Sequence, residues 1–303
     1  MASKMTIREA KDIVREYRDR SAMSADEEFL YIEALEFLIE ATKKTRWMVE
    51  LGGYYYEEKK FDLALKYYEM ADAYGDRWAP MGLGYIWYYG RTGEKDYKKA
   101  FEYYSRGAKN GYVQGYIKIA DMYKNGYYVE KDFAKYAETV EEAYPQVSGS
   151  DDCFDPISEV CTRLARIRTQ QGRNEEAAEL YEEARECLAE RLSINCFFGD
   201  LTVMKSTVED LYALRGSTEE EPDLYDLYVL LQKPVRVRFR LEDETHEVAA
   251  VPEEGGSLAI CRDGKWFRTI DDFFQKGQIG GDRLPVLYYE MEGFEVIPDG
   301  SDR

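Results

Sequence analysis

The chain carries one histidine, His246, five cysteines and 60 acidic side chains, so nucleophilic, acid–base or metal chemistry must be drawn from that set. Serine- or cysteine-hydrolase chemistry needs an imidazole base oriented by a carboxylate. His246 stands beside Glu244 and Glu247 but early in a predicted edge hairpin, exposed, away from any Gly-flanked Ser or Cys, so a catalytic role is not expected. Cys153, Cys161, Cys187, Cys196 and Cys261 are odd in number and form no CxxC pair; with a single His, no structural zinc site is expected. Reduced, buried thiols fit better and point to a reducing compartment, the cytoplasm. Glu141-Glu142, Glu175-Glu176 and Glu219–Glu221 fall on predicted helix surfaces or loops, where water solvates them. A glycosidase-type pair would need one carboxyl in apolar surroundings, and nothing in the sequence singles one out. No Walker loop, GxGxxG after a strand, EF-hand loop or HExxH is present, and no catalytic residue, cofactor or metal is assigned.

The residue types left over are suited to contact rather than reaction. Tyrosine is abundant, with 27 residues, and its ring packs while its hydroxyl stays wet. Tyr54, Tyr55, Trp87, Tyr88, Tyr123, Tyr127 and Tyr128 fall on predicted first helices of helix pairs or on the loops after them. Some of these rings must face the core; Tyr55, Tyr88, Tyr89 and Tyr127 are assigned to a binding groove, since Tyr and Trp dominate interface hot spots. The alternating Arg236, Arg238 and Arg240 form a second candidate. They could dock a carboxylate-rich or phosphorylated partner. The plainer reading, which is favoured, pairs them across strands with Glu247 and Glu242 and guards an edge strand.

Charge narrows the partners. A net charge of −19 with a pI near 4.7 repels phosphate backbones and anionic membrane surfaces, and no Lys/Arg-rich run offsets it, so neither nucleic acid nor membrane is expected. No stretch approaches membrane-span length, and Met1 to Asp12 lacks the apolar core of a signal peptide. The expected partner is a protein or peptide.

The elements that would position these side chains show themselves as a repeat. Phe61 superposes on Tyr97, Ala64 on Ala100, Tyr67 and Tyr68 on Tyr103 and Tyr104, and Gly75 on Gly111, an offset of 36 residues. The same shift carries Tyr97 to Phe133, Asp96 to Asp132, Gly90 to Gly126 and Leu83 to Ile119. Each unit reads as two short amphipathic helices. Small residues such as Ala64, Ala71, Gly84, Ala100 and Gly107 allow close helix approach, while paired tyrosines fill the layers between. Gly75 and Gly111 stand where a left-handed C-terminal cap is needed. One pair cannot bury its own apolar face, so units must stack.

The segment Gly82 to Glu138 resembles Sel-1-like repeats. Leu83, Gly84, Gly90, Lys95, Asp96, Ala100, Tyr104, Ala108 and Gly111 match that family's pattern in one unit. The next keeps Tyr123, Gly126, Lys131 and Asp132 but has Tyr136 where alanine is the rule. Trp47 to Gly75, shorter by about four loop residues, and Gly172 to Ala184 are more similar to tetratricopeptide repeats. The resemblance covers roughly residues 47–190. It implies an α-solenoid whose first helices line a concave face, and a non-catalytic scaffold or adaptor that assembles complexes.

Flanking helices are predicted over Thr6 to Arg20 and Ala25 to Thr45, with Ser24 as N-cap, and over Leu201 to Leu231, broken at Arg215 to Asp223, as a solenoid cap. Pro145 to Pro156 reads as an exposed loop. After Lys233 the period changes to two: Val235, Val237, Phe239 and Leu241 share one face. A turn at Glu242 to Thr245 leads to a strand at His246 to Val251, and Asp263-Gly264 marks a second hairpin. Asp271 to Lys276 and Asp282 to Met291 read as short helices, and Gly293 to Ile297 as a last strand. The expectation is therefore mostly α, with a solenoid over residues 1–232 and a small α+β domain over 233–303. In the alternative functional reading, that small domain binds a ligand such as a nucleotide and the solenoid targets it.

Overall fold

The helices begin where capping chemistry is written. In α1 (Ile7–Tyr17) the Thr6 hydroxyl accepts from the Glu9 amide, while the Glu9 carboxylate accepts from the Thr6 amide at 2.8 Å. Ser24 and Glu27 repeat this box at α2 (Ala25–Thr42), as the sequence led us to expect of Ser24. Then follow α3 (Thr45–Glu57), α4 (Phe61–Ala73), α5 (Ala79–Tyr89), α6 (Tyr97–Lys109), α7 (Val113–Asn125) and α8 (Phe133–Ala143). This computed structural model describes residues 5–18, 20, 23–149, 152, 155–194, 198–215, 227–228, 230–241, 244–253, 257–279, 282–283 and 291–297. By contact density it divides into two compact units, Met1–Ala143 and Tyr144–Arg303.

In the first unit, glycine and tyrosine interlock. The Tyr68 ring is wedged between Gly52 of α3 and Gly82 of α5; a Cβ at either glycine would come within 2.7 Å of it. Tyr104 sits on Gly84 in the same manner, one repeat on. Gly115 brings α7 onto the backbone of α6, where a Cβ would stand 2.6 Å from the Ala108 nitrogen. In the next unit Tyr136 and Val140 replace Ala100 and Tyr104 of the preceding one, and both are 3% exposed. The large residue has moved by one helical turn along α8 and remains core, so the departure from the family pattern exchanges volume between neighbouring layers.

The loops repeat as faithfully. Gly90 and Gly126 close α5 and α7 at φ 64° and 75°, and the stems of Lys95 and Lys131 lie over them. The following aspartates do two jobs each. Asp96 and Asp132 cap α6 and α8 by accepting from the amides of Lys99 and Lys135, at 2.9 and 3.0 Å. Their own amides donate back to the carbonyls of Trp87 and Tyr123, at 3.0 and 3.1 Å. The shorter turn from α3 to α4 manages with Lys59 in the left-handed region, φ 58°.

The second unit is organised differently. Helices α9 (Ile157–Gln170), α10 (Asn174–Ile194) and α11 (Phe198–Arg215) are joined by Arg191, 8% exposed, which donates to Glu159 and Asp200 at 3.2 and 3.0 Å. Five antiparallel strands follow in the order β4-β3-β2-β1-β7: β1 (Val235–Leu241), β2 (Glu244–Pro252), β3 (Leu258–Arg262), β4 (Lys265–Phe267) and β7 (Met291–Ile297). Between β4 and β7 lie α12 (Ile270–Lys276) and a two-stranded pair, β5 (Gln278–Ile279) and β6 (Asp282–Arg283). The helix expected over Asp282 to Met291 is corrected at its ends: Asp282 and Arg283 are strand, and Met291 opens β7; residues 284–290 lie outside the described residues. So do 216–226, which hold most of the break expected at Arg215 to Asp223, and Glu242 of the first turn. The Asp263-Gly264 turn is as expected, with φ positive at both positions, 46° and 83°. Where an exposed loop was expected, Tyr144–Gln146 forms a 3-10 turn and Val147 is 2% exposed.

One core serves helices and sheet together. Leu188 and Leu192 of α10 and Leu201, Met204 and Val208 of α11 pack in a single cluster with Val237, Phe239, Val248, Ile260 and Phe273. The boundary read at 232/233 from the change of period therefore runs through a continuous core. Periodicity registers local geometry and is blind to what covers a face.

Candidate functional site

Spacings of three and four place Tyr85, Tyr88 and Tyr89 on one side of α5. Opposite them Lys118 of α7 holds its ammonium 5.6 Å from the Tyr85 ring centre and 5.4 Å from those of Tyr88 and Tyr89. It also donates to the Tyr89 hydroxyl at 3.1 Å. Tyr127, placed by the left-handed Gly126, stacks on Tyr97 of α6 at 4.6 Å, and both rings lie edge-on to Tyr88. Beyond Tyr89 the band continues through Arg91, whose guanidinium lies over Tyr89, Tyr56 and Phe61 at 5.0, 5.6 and 5.2 Å. Cations and rings thus alternate across neighbouring repeats, each contact of the kind that stabilises more as it is desolvated.

Burial pushes the Tyr85 and Tyr88 hydroxyls up to about 12, with the Asp121 carboxylate adding to the shift at Tyr88. They stay protonated donors at any physiological pH. The face offers ring surface, neutral hydroxyls and two fixed cations, an arrangement that can hold a ligand. It presents no paired acid and base. Among the described residues no cluster of His, Cys, Asp and Glu could hold a metal ion.

The expected groove residues separate on inspection. Tyr89 is 41% exposed, and Tyr88 and Tyr127 are half-buried within the band. Tyr55 is 6% exposed and stacks on Tyr67, inside the core of the first pairs, so its assignment to the groove is corrected. Its helix presents Tyr56 instead, which accepts from Arg91 at 3.1 Å. Lys118 and Arg91 were missed; several other lysines and arginines share their repeats, so nothing in the sequence singles these two out.

Arg236, Arg238 and Arg240 lie on β1, which is flanked by β2 and β7, so the edge-strand reading is corrected. Arg236 and Arg238 share the Glu247 carboxylate at 2.6 and 3.2 Å, and Arg238 also lies 3.6 Å from Glu295. The Arg236 hydrogen bond, before any other influence, holds the Glu247 carboxyl below its usual range. Arg240 faces Thr245 and Glu292 in the strand register. His246 is corrected too: it is 9% exposed on the interior strand β2, its Nδ1 3.0 Å from Asp263, whose other oxygen accepts from the Glu247 amide. That pairing ties the β3–β4 turn to β2.

No protein-family model and no curated protein matches this chain. Among solved structures it is similar to a Sel1 repeat protein from Oxalobacter formigenes, at 20% identity and a TM-score of 0.44, over 60% of this chain and 78% of that one. It is also similar to c5321, a protective antigen of uropathogenic Escherichia coli with an SLR fold, at 18% identity and a TM-score of 0.45. That match covers 67% of this chain and 47% of the antigen. The helical region repeats glycine-seated tyrosines, left-handed loop glycines and doubly bonded aspartates at the positions by which its sequence resembles Sel-1-like repeats. The chain is mostly helical, with a small antiparallel sheet after the repeats.

Proposed function

We propose that this chain is a non-catalytic scaffold that captures a protein or peptide segment on the ring-and-cation band of α5 and α7. The observation that carries the reading is the Lys118 ammonium held among three tyrosine rings beside the exposed edge of Tyr89. Rigid aromatic side chains lose little rotamer freedom on binding, and here their partners already fix them. Tyr88, Tyr89 and Tyr127 form the contact, with Lys118 and Arg91 setting its charge. A cytoplasmic setting accords with Cys161 and Cys187, which are free thiols in the core, the former with its ionisation pushed up by burial. No described helix is long and apolar enough to cross a membrane.

The test uses the full chain as bait in an extract of its own cells, beside Tyr89→Ala/Lys118→Ala. Tyr89 is exposed and Lys118 half-buried, so the double variant should stay folded with only a small fall in melting temperature. The reading expects a partner retained by the parent and lost by the double variant. Equal retention by both would contradict it.

A further inference from the structure

Two arginines without a carboxylate partner among the described residues share one groove of the first unit, in a chain whose acids outnumber its bases 60 to 41. Arg46 stands in the first turn of α3 and Arg77 in the turn before α5. Arg46 and Arg77, with Arg18, Val49, Trp78 and Tyr112, line a groove of about 570 Å³. Two carboxylates line it as well, and both are engaged. Glu50 accepts two hydrogen bonds from Arg18, at 2.8 and 2.7 Å. Asp76 accepts from the amides of Trp78 and Ala79, at 2.8 and 2.9 Å.

The two arginines on the rim have no such partner. Arg46 lies over the Trp47 ring at 3.9 Å, and Arg77 donates to the Asn110 carbonyl. Among the described residues neither reaches a carboxylate, whereas Arg18, Arg20, Arg106 and Arg173 in the same acidic chain all do. Helices α3 and α7 also open here without a side-chain cap, so the positive ends of two helix dipoles add to the arginine charge. Val49, Trp78 and Tyr112 give the groove an apolar wall between these charges.

From this charge arrangement we propose that the groove docks an acidic peptide segment of a partner protein. Its carboxylates pair with Arg46 and Arg77, and an apolar side chain rests on Trp78 and Tyr112. Guanidinium forks suit carboxylates, and their weaker hydration lowers the cost of pairing. The groove is separate from the tyrosine band: Trp78 precedes the first residue of α5 and Tyr89 is its last.

The experiment is fluorescence anisotropy on the full chain, with a dye-labelled peptide of four glutamates around a central leucine and its glutamine counterpart. The glutamate peptide should bind, weaken with salt, and shift the Trp78 indole signal in a proton–nitrogen spectrum. Arg46→Ala/Arg77→Ala should weaken it about tenfold, as expected for losing charge-assisted contacts, with an unchanged melting temperature. Tyr89→Ala should leave it alone. As a control on folding, Arg46→Glu/Arg77→Glu should favour a lysine-containing peptide instead. Equal binding of the glutamine peptide, an unaffected alanine double variant, or capture of inorganic phosphate in place of the peptide would each overturn the proposal.

Discussion

The two compact units reach stability by opposite routes. In Met1–Ala143 the interlocking pieces are near neighbours in sequence: a tyrosine of one helix sits on glycines of the helix before and the helix after. In Tyr144–Arg303 β7 pairs with β1 from at least 50 residues further along the chain and forms one edge of the sheet, whose β1, β2 and β3 share a core with α10 and α11. The first arrangement keeps each interlock between adjacent helices. The second must form as a whole.

The largest effect should show that contrast directly. Phe239→Ala empties a site that is 1% exposed in the shared core and should cost about 3–5 kcal/mol. Hydrogen exchange should then quicken in α10, α11 and the sheet together, and not in α3 to α6. Exchange quickening in the sheet alone would mean the sheet is a separate domain after all.

Next in size is Gly115→Ala. Its new Cβ meets helix backbone, which cannot swing aside as a side chain can, so a loss of about 1–3 kcal/mol is expected by denaturant titration. The effect should stay in α6 to α8. Spread into α9 to α11 would show that the two units do not unfold separately.

Smaller still is the loop aspartate. Asp132→Ala removes the accepting oxygen for the Lys135 amide and should cost about 1 kcal/mol, with fraying confined to α8. The equivalent Asp96→Ala should behave alike at α6, since the two loops are built the same way.

Alkaline titration probes the tyrosines of the first unit. A tyrosine's ordinary value is 10.0, and Tyr85 and Tyr88 are held at about 12 in the folded chain. A raised folded pKa contributes stability that is whole below the unfolded value and lost as pH climbs through the folded one. Denaturation midpoints should therefore fall between roughly pH 10 and 12, as the Tyr85 and Tyr88 hydroxyls ionise. Ionisation of Tyr85 and Tyr88 at the ordinary pH, followed singly by their ring carbon-13 signals with helix intact, would show that these two rings are not buried as described.

What the sequence made legible follows the same division. The period of 36, the Ser24 cap, the left-handed glycines and the Asp263-Gly264 turn depend on contacts within a few dozen residues, and each left a pattern on the chain. Burial set by distant strands left none. His246 looked like an edge residue because nothing near it in sequence announces that β3 and β7 extend the hairpin on both sides. Tyr55 and Tyr56 are adjacent tyrosines with the same chemistry; a rotation of about 100° along the helix sends one to the core and the other to Arg91. The candidate site was half legible for the same reason: aromatic residues mark it, but Lys118, which completes it, comes from the next unit, and Arg91 reaches back to Tyr56 and Phe61 of the one before.

The most direct test is a hydrogen-exchange footprint of the full chain with a partner retained through the tyrosine band. The account predicts slowed exchange at the C-terminal half of α5, around Lys118 of α7 and at Gly126 and Tyr127, with the sheet unchanged. Slowing confined to β1 to β4, with α5 and α7 exchanging as before, would contradict it.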